Sequence, residues 1–340
     1  MKRILPLFLA LALLLTGCAA VSTTESTSQT VSQVDSSSSA LESAPESASS
    51  QLESVGEVSI TDSNGTQITL DTSAPRVVAT YGSFAEAWLL AGGQLCGVTQ
   101  DALEQRDLGL PEDIAVVGTV KELNAEEIIA LEPDLVLLAS DITAQADIRD
   151  VLENAGLACA FFQVDTFADY AFMMEQLCAV TGREDLYEEN VTQVGQQIEE
   201  AQANAALSST RPNVLLIRAF STGIKAKTDD ELAGAILKDL GAHNIADDHP
   251  SMLEDLSLEE VIAADPDYIF VTTMGDEQKA LDYLNGLIQQ NPAWSELSAV
   301  KEDRYIVLPK DLFHYKPNNR WGESYQYLGE ILYPQLFHEE

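Results

Sequence analysis

The chain has 340 residues, 46% of them hydrophobic, with 55 acidic residues against 18 basic ones and a formal net charge of −37. That is enough apolar material for the cores of two ordinary domains, and so acidic a balance excludes a nucleic-acid or anionic-lipid surface, both of which need a net basic face. Ten Phe, ten Tyr and three Trp exclude an entirely disordered acidic chain.

Lys2 and Arg3 precede an apolar run from Ile4 to Leu15 that is too short for a permanent membrane span and ends in Leu15-Thr16-Gly17-Cys18. The order resembles the lipobox of bacterial lipoproteins, which implies removal of residues 1–17 and acylation of Cys18. Two or three acyl chains at ~0.8 kcal/mol per buried methylene hold a protein on a membrane without a spanning helix. The expectation is an exported, extracytoplasmic protein anchored to the cell membrane. Val21 to Ser54 holds 13 Ser and 4 Thr in 34 residues, with no Lys, Arg or aromatic residue. Such a stretch buries too little apolar surface to order itself, so residues 18–55 read as a flexible leash, reaching on the order of 30 Å.

The folded part begins near residue 56. Arg76 to Thr80 reads as a strand, and Ser83 with Glu86 as the cap of a helix that runs through Ala91 and stops at Gly92-Gly93. Further strands are expected at Leu95–Val98, Ala115–Val117, Leu135–Ala139 and Ala158–Val164. Residues 183–206 hold one Gly and no Pro, and Leu186, Val191, Val194, Ile198, Ala201 and Ala205 recur at helical spacing, which predicts one long connecting helix and little rocking of what it joins. Beyond it, strands are expected at Asn213–Ile217, Tyr268–Thr272 and Tyr305–Leu308, and helices at Glu231–Leu240, Lys279–Gln290 and Trp321–Leu332.

An internal repeat ties the halves together. Leu123-Asn-Ala-Glu-Glu-Ile-Ile-Ala-Leu-Glu-Pro-Asp134 and Leu256-Ser-Leu-Glu-Glu-Val-Ile-Ala-Ala-Asp-Pro-Asp267 each lead into an apolar strand, and seven of eighteen aligned positions are identical. Each copy spells a cap (Asn124, Ser257) with Glu three positions on (Glu127, Glu260), a short helix, a Pro-Asp stop and a buried strand. The expected fold is α/β: two Rossmann-like lobes with mostly parallel sheets, residues 56–182 and 207–340, joined by the 183–206 helix. Cys96, Cys159 and Cys178 lack the spacing of a zinc or redox motif and read as buried free thiols, with a single disulfide as the alternative.

The lipobox, the Ser-rich leash, the lobe–helix–lobe order and the paired Glu-Glu-(Ile/Val)-Ile-Ala-x-(Glu/Asp)-Pro-Asp blocks resemble the solute-binding lipoproteins of bacterial ABC importers for ferric siderophores, haem and cobalamin, over roughly residues 56 to 335. The segment Leu308 to Glu323 is similar to the corresponding segment of Gram-positive and clostridial-type members. The resemblance implies a monomer with no resident cofactor, working with a permease dimer and its ATPase. Its cargo would be a small metal chelate, most readily a ferric siderophore, with haem or cobalamin as alternatives. It also implies that one acid on each lobe tip meets the permease; matching the blocks places those roles on Glu126 and Glu259, the alternative being first-turn acids favoured by the helix dipole.

Cargo is expected between the lobes, at the carboxyl ends of the strands. Candidate lining residues are Tyr81, Ser83, Val120, Lys121, Ser140 and Asp141 from the first lobe. From the second come Arg218, Lys225, Lys227, Met274, His314, Tyr315, Lys316, Arg320 and Trp321. The bases Arg218, Lys225, Lys227, Lys310, Lys316 and Arg320 crowd two short loop regions of the second lobe in a chain otherwise poor in them, which suits carboxylate, catecholate or propionate oxygens, while Tyr81 and Trp321 offer flat faces. The alternative is that these bases pair with surface acids and Trp321 belongs to the core. His314 is open between haem iron and a backbone hydrogen bond. Four His are too few for a bare transition-metal site of three or more converging ligands. No Gly-x-Ser-x-Gly, Walker loop, His-Glu-x-x-His or Gly-x-Gly-x-x-Gly occurs, so nothing proposes an enzyme; a lipoprotein hydrolase or a surface adhesin is the competing class.

Overall fold

Short apolar runs buried along their length build two sheets, each covered on both faces. A computed structural model describes residues 57–337 except Asp255; the signal, Cys18, the leash and residues 338–340 lie outside the described residues. The first lobe opens with a hairpin that the sequence reading did not single out, β1 (Val58–Thr61) against β2 (Gln67–Leu70). The buried Asp62 holds its turn, accepting from the backbone of Asn64 (2.9 Å) and Thr66 (2.8 Å).

The first-lobe sheet comprises β3 (Val77–Ala79), β4 (Leu95–Val98), β5 (Ala115–Val116), β8 (Leu135–Ala139) and β9 (Cys159–Phe162) in the order β5-β4-β3-β8-β9, all parallel. A small hairpin, β6 (Gly118–Thr119) with β7 (Glu122–Leu123), precedes the first repeat block. In the second lobe β10 (Asn213–Phe220), β13 (Tyr268–Thr273) and β14 (Tyr305–Val307) are parallel, and β12 (His243–Asn244) pairs parallel with the start of β10. Here the expected repetition fails at one edge. β10 runs on to Phe220, turns at Ser221-Thr222 and pairs antiparallel with β11 (Gly223–Lys227), so Arg218, Lys225 and Lys227 lie in a hairpin and not in loops.

The repeat is structural as well as sequential. In each copy the acid before Pro takes a left-handed backbone, Glu132 at φ 46° and Asp265 at φ 42°, which stops the helix. The following Asp clamps the start of the neighbouring strand, β3 or β10: Asp134 Oδ2 accepts from Arg76 N at 2.7 Å and Asp267 Oδ2 from Asn213 N at 2.8 Å. The capping boxes are only half made. Asn124 Oδ1 accepts from Glu126 N and Glu127 N, and Ser257 Oγ from Glu260 N, but Glu260 turns to Ser251 Oγ instead of reaching back. Ser83 is no cap either: the helix Gly82–Leu90 starts after Tyr81 without a side-chain cap, and Glu86 pairs with Arg106.

Between the lobes the chain is helical from Glu184 to Ala206, interrupted by a π-helical turn, Glu188–Thr192. The extra residue turns Asn190 inward. Its Nδ2 donates to Leu90 O (3.2 Å) and Leu186 O (3.0 Å), and its Oδ1 accepts from Asn319 Nδ2 (3.0 Å), so one buried amide touches both lobes and the connector.

Each strand splits its side chains between two layers. Val78, Val136, Leu138 and Phe161 face a core with Ile128 and Leu152, and Leu215, Ile217, Ile269 and Val271 face another with Val261, Leu284 and Trp294. The opposite faces, Val77, Leu135, Leu137 and Phe162 in one lobe and Val214, Leu216 and Phe270 in the other, share a single apolar cluster with the connector and the helix Trp321–Leu332. At ~1.5–3 kcal/mol per fully buried large aliphatic or aromatic side chain, this shared layer resists separation of the lobes. Cys159 and Cys178 are buried free thiols, their pKa values pushed up by burial to about 12 and about 11, whereas Cys96 is free but half-exposed, against expectation.

Candidate ligand-binding cleft

The parallel strands of both lobes end toward a common seam. On the first-lobe side, Tyr81 follows β3, Ser140 and Asp141 follow β8, and Asp165 follows β9. One side chain joins the first two of these segments to a third, at Val120. Gln145 is fully buried; its Oε1 accepts from Thr80 Oγ1 (2.6 Å) and Ala139 N (2.7 Å), while its Nε2 donates to Thr80 O (2.8 Å) and Val120 O (3.1 Å). Every hydrogen-bonding position of the amide is thereby committed to holding the loops that present Tyr81, Val120 and Ser140. Tyr81 is partly buried, and its hydroxyl is pushed up to about 12 by burial and by Asp101, Asp141 and Asp165, against a smaller opposite pull from Arg106. It stays a neutral hydrogen-bond donor at any physiological pH. Lys121 is exposed at the tip of the β6–β7 hairpin.

The second-lobe side is basic. Arg218 on β10 lies opposite Lys225 on β11; Arg218 pairs with Glu231, and Lys227 shares the same carboxylate at 2.8 Å. Lys225 and Met274 are exposed. Lys310 Nζ donates to Gly275 O at 2.6 Å and lies 5.9 Å from the Tyr315 ring centroid, while the His314 and Tyr315 rings are 5.2 Å apart. Burial, then Arg218, Lys310 and Lys316, push His314 down to about 4, so its imidazole is neutral at pH 7. The sign follows: unfolded, this group takes a proton near pH 6.5, folded only near pH 4. Between those values the unfolded chain binds more protons, so acidification erodes stability by up to roughly 3 kcal/mol, with no contribution above pH 6.5. In His314→Gln the stability lost on going from pH 6.5 to pH 4, measured by urea unfolding, is expected to be smaller by about that amount; an unchanged loss would contradict the assigned cause.

The stretch from His314 to Arg320 crosses from the second lobe onto the first. Arg106 pairs with Glu86 and donates to Lys316 O at 2.8 Å; Lys316 Nζ donates to Asp165 Oδ1 at 2.9 Å; Asn318 Nδ2 donates to Ser83 O at 2.9 Å. Burial removes two of the expected lining residues, and a third is paired on its own helix side. Ser83 is buried beneath the strap, at 1% exposure. Trp321 is 2% exposed and sits edge-on to Phe167, 6.3 Å between centroids, in the shared core, because it opens the apolar stripe of its helix. Arg320 is spent on Asp311 and, through two nitrogens, on Glu323. Tyr81, Ser140, Arg218, Lys225, Met274, His314 and Lys316 are the expected residues that the strand ends and strap leave around the seam. Arg106, Gln145 and Asp165 join them without having been anticipated; their partners lie far off in sequence, at Lys316 and Thr80.

Glu126 and Glu259 are exposed, each the second residue of its helix, Ala125–Ala130 and Leu258–Ala264. Among the described residues no three His, Cys, Asp or Glu side chains are grouped to hold a metal ion, and no helix is long and apolar enough to cross a membrane.

Comparison with known proteins agrees with this architecture. The family model described as periplasmic binding protein matches residues 77–312. An uncharacterized ABC transporter substrate-binding lipoprotein, YvrC of Bacillus subtilis (strain 168), is 26% identical over 295 residues, 85% of this chain and 90% of its own length. The solved TroA-like periplasmic binding protein FepB from Veillonella parvula superposes with a TM-score of 0.68 at 20% identity, covering 82% of this chain and 91% of that one. Staphylococcus aureus SirA, solved in complex with staphyloferrin B, gives 0.61 at 19% identity, covering 83% and 99%. At these identities the two structures establish a shared fold, the helix-joined α/β pair of lobes.

Proposed function

Because this chain belongs to the periplasmic binding protein family, we propose that it is the cargo-capturing component of an ABC importer and that its cargo is an anionic iron chelate, a ferric siderophore, held between the lobes. Membership of the family makes it a binding protein and not an enzyme. What supports the choice of cargo is the gathering of Arg218, Lys225, Lys310 and Lys316 about the seam with the neutral donor Tyr81, Arg218 paired with Glu231 and Lys316 with Asp165, in a chain with only 18 basic residues. Guanidinium and ammonium groups suit carboxylate and catecholate oxygens. An intact chelate carries its own metal ligands, so the protein need supply only charge, hydrogen bonds and shape.

In this reading Cys18 carries the lipid that holds the protein outside the membrane, and Glu126 and Glu259 meet the permease, which works with an ATPase. The test of the cargo is direct. Ferric chelates absorb where Trp emits, so Trp88, Trp294 and Trp321, though buried, report binding by energy transfer. Saturable quenching at submicromolar ferric siderophore, and none with haem, is expected; quenching by haem alone would overturn the choice. Haem is the second reading because the neutral His314 imidazole is in the protonation state that an iron ligand requires.

A further inference from the structure

Resting on the anionic-chelate reading above, we propose that Asp165 is an internal stand-in for the cargo's anionic group on Lys316, so that it sets how much negative charge a chelate must bring. Two acid–base groupings occupy the basic side of the seam, and they differ in origin. Glu231, which takes Arg218 and Lys227, belongs to the same lobe as its partners and moves with them. Asp165 belongs to the first lobe, 151 positions away from Lys316, and meets at 2.9 Å the ammonium of a strap that the second-lobe chain lays onto the first lobe.

The two partners are held with unequal firmness. Lys316 is pinned through its own carbonyl by Arg106, which is pinned by Glu86, and only 19% of its side chain is exposed. Asp165 sits in the short loop between β9 and the helix Phe167–Thr181 with its side chain 50% exposed. One oxygen takes the Lys316 ammonium, the other takes Gln163 Nε2 at 2.6 Å, and these two bonds outweigh burial to hold the carboxyl below its usual range. A fixed cation thus faces a carboxylate that water can take over. An exposed ion pair contributes little, so a chelate with several negative charges can displace Asp165 and gain Lys316, whereas a neutral chelate gains nothing from the exchange.

The test compares the whole protein with Asp165→Asn, Lys316→Gln and the double variant, titrated with a ferric tris-catecholate of charge −3 and a neutral ferric trihydroxamate. Asp165→Asn is expected to tighten the tris-catecholate about tenfold, with a steeper salt dependence, and to leave the trihydroxamate unchanged. The gain should vanish in the Lys316→Gln background. Unchanged or weaker tris-catecholate binding in Asp165→Asn, or equal tightening of both chelates, would overturn the proposal in favour of a simple inter-lobe tie. If neither chelate binds the unaltered protein, the cargo reading fails, and the pair is judged alone by acylation of Lys316 read by mass spectrometry. Slow acylation in the unaltered protein, fast in Asp165→Asn and slow again there with millimolar citrate supports the stand-in; equal rates in all three overturn it.

Discussion

Replacing Glu126 and Glu259 together by Arg is expected to reduce chelate uptake by whole cells to background while leaving the purified protein's affinity for the chelate unchanged. Both acids are exposed, one on each lobe, at the same position of a duplicated helix start. The local structure does not depend on them. Asn124 and Ser257 supply the caps, and of the two second-lobe acids it is Glu260 that is engaged, by Ser251. Removing a first-turn acid costs ~0.3–1 kcal/mol of helix dipole energy, too little to unfold a lobe. Reversing the sign of a charge that meets an opposite charge across an interface costs several kcal/mol, and two reversals together exceed a hundredfold in affinity. Each single reversal should therefore give partial uptake. Full uptake by the double variant, or loss of chelate affinity alongside uptake, would remove the docking role.

The second large effect is on stability. Gln145→Leu keeps the bulk of the side chain but strips the partners from Ala139 N, Thr80 O and Val120 O, of which the first two are buried with the amide itself. An orphaned buried backbone group costs ~1–3 kcal/mol, so unfolding free energy should fall by about 3–5 kcal/mol in denaturant titration. Because the same amide braces the loops bearing Tyr81, Val120 and Ser140, chelate affinity should fall at least about tenfold as well. A loss below about 1 kcal/mol would show that Gln145 is not the brace described.

The two acids and Gln145 differ in how far the sequence reveals them. Glu126 and Glu259 stand inside a repeat whose copies share a capped helix start, the Pro-Asp stop and a following strand, so local chemistry marks their matched positions, while the docking role rests on the family resemblance. The parallel strands are legible for a similar reason: runs such as Leu135–Ala139 and Tyr268–Thr273 are buried on both faces and read as continuous apolar segments. Gln145 is invisible because its meaning lies in Thr80, 65 positions away. Lys316 and Arg320 read alike in sequence, yet one meets Asp165 of the first lobe and the other is absorbed by Asp311 and Glu323. Two errors had a readable signal. Gly223-Ile-Lys-Ala-Lys227 alternates in the manner of a strand just after a two-residue turn, and Trp321 falls in helical register with Tyr325, Leu328 and Leu332, all buried.

Capture in the seam is tested most directly by hydrogen–deuterium exchange with and without saturating ferric siderophore. Slowed exchange is expected on both sides at once, in the segments around Tyr81, Ser140 and Asp165 and in those around Arg218–Lys225, Met274 and His314–Lys316. Slowing confined to one lobe would contradict the account, as would slowing at the far end of the first lobe, around the roughly 330 Å³ cavity lined by Arg76, Trp88 and Cys96.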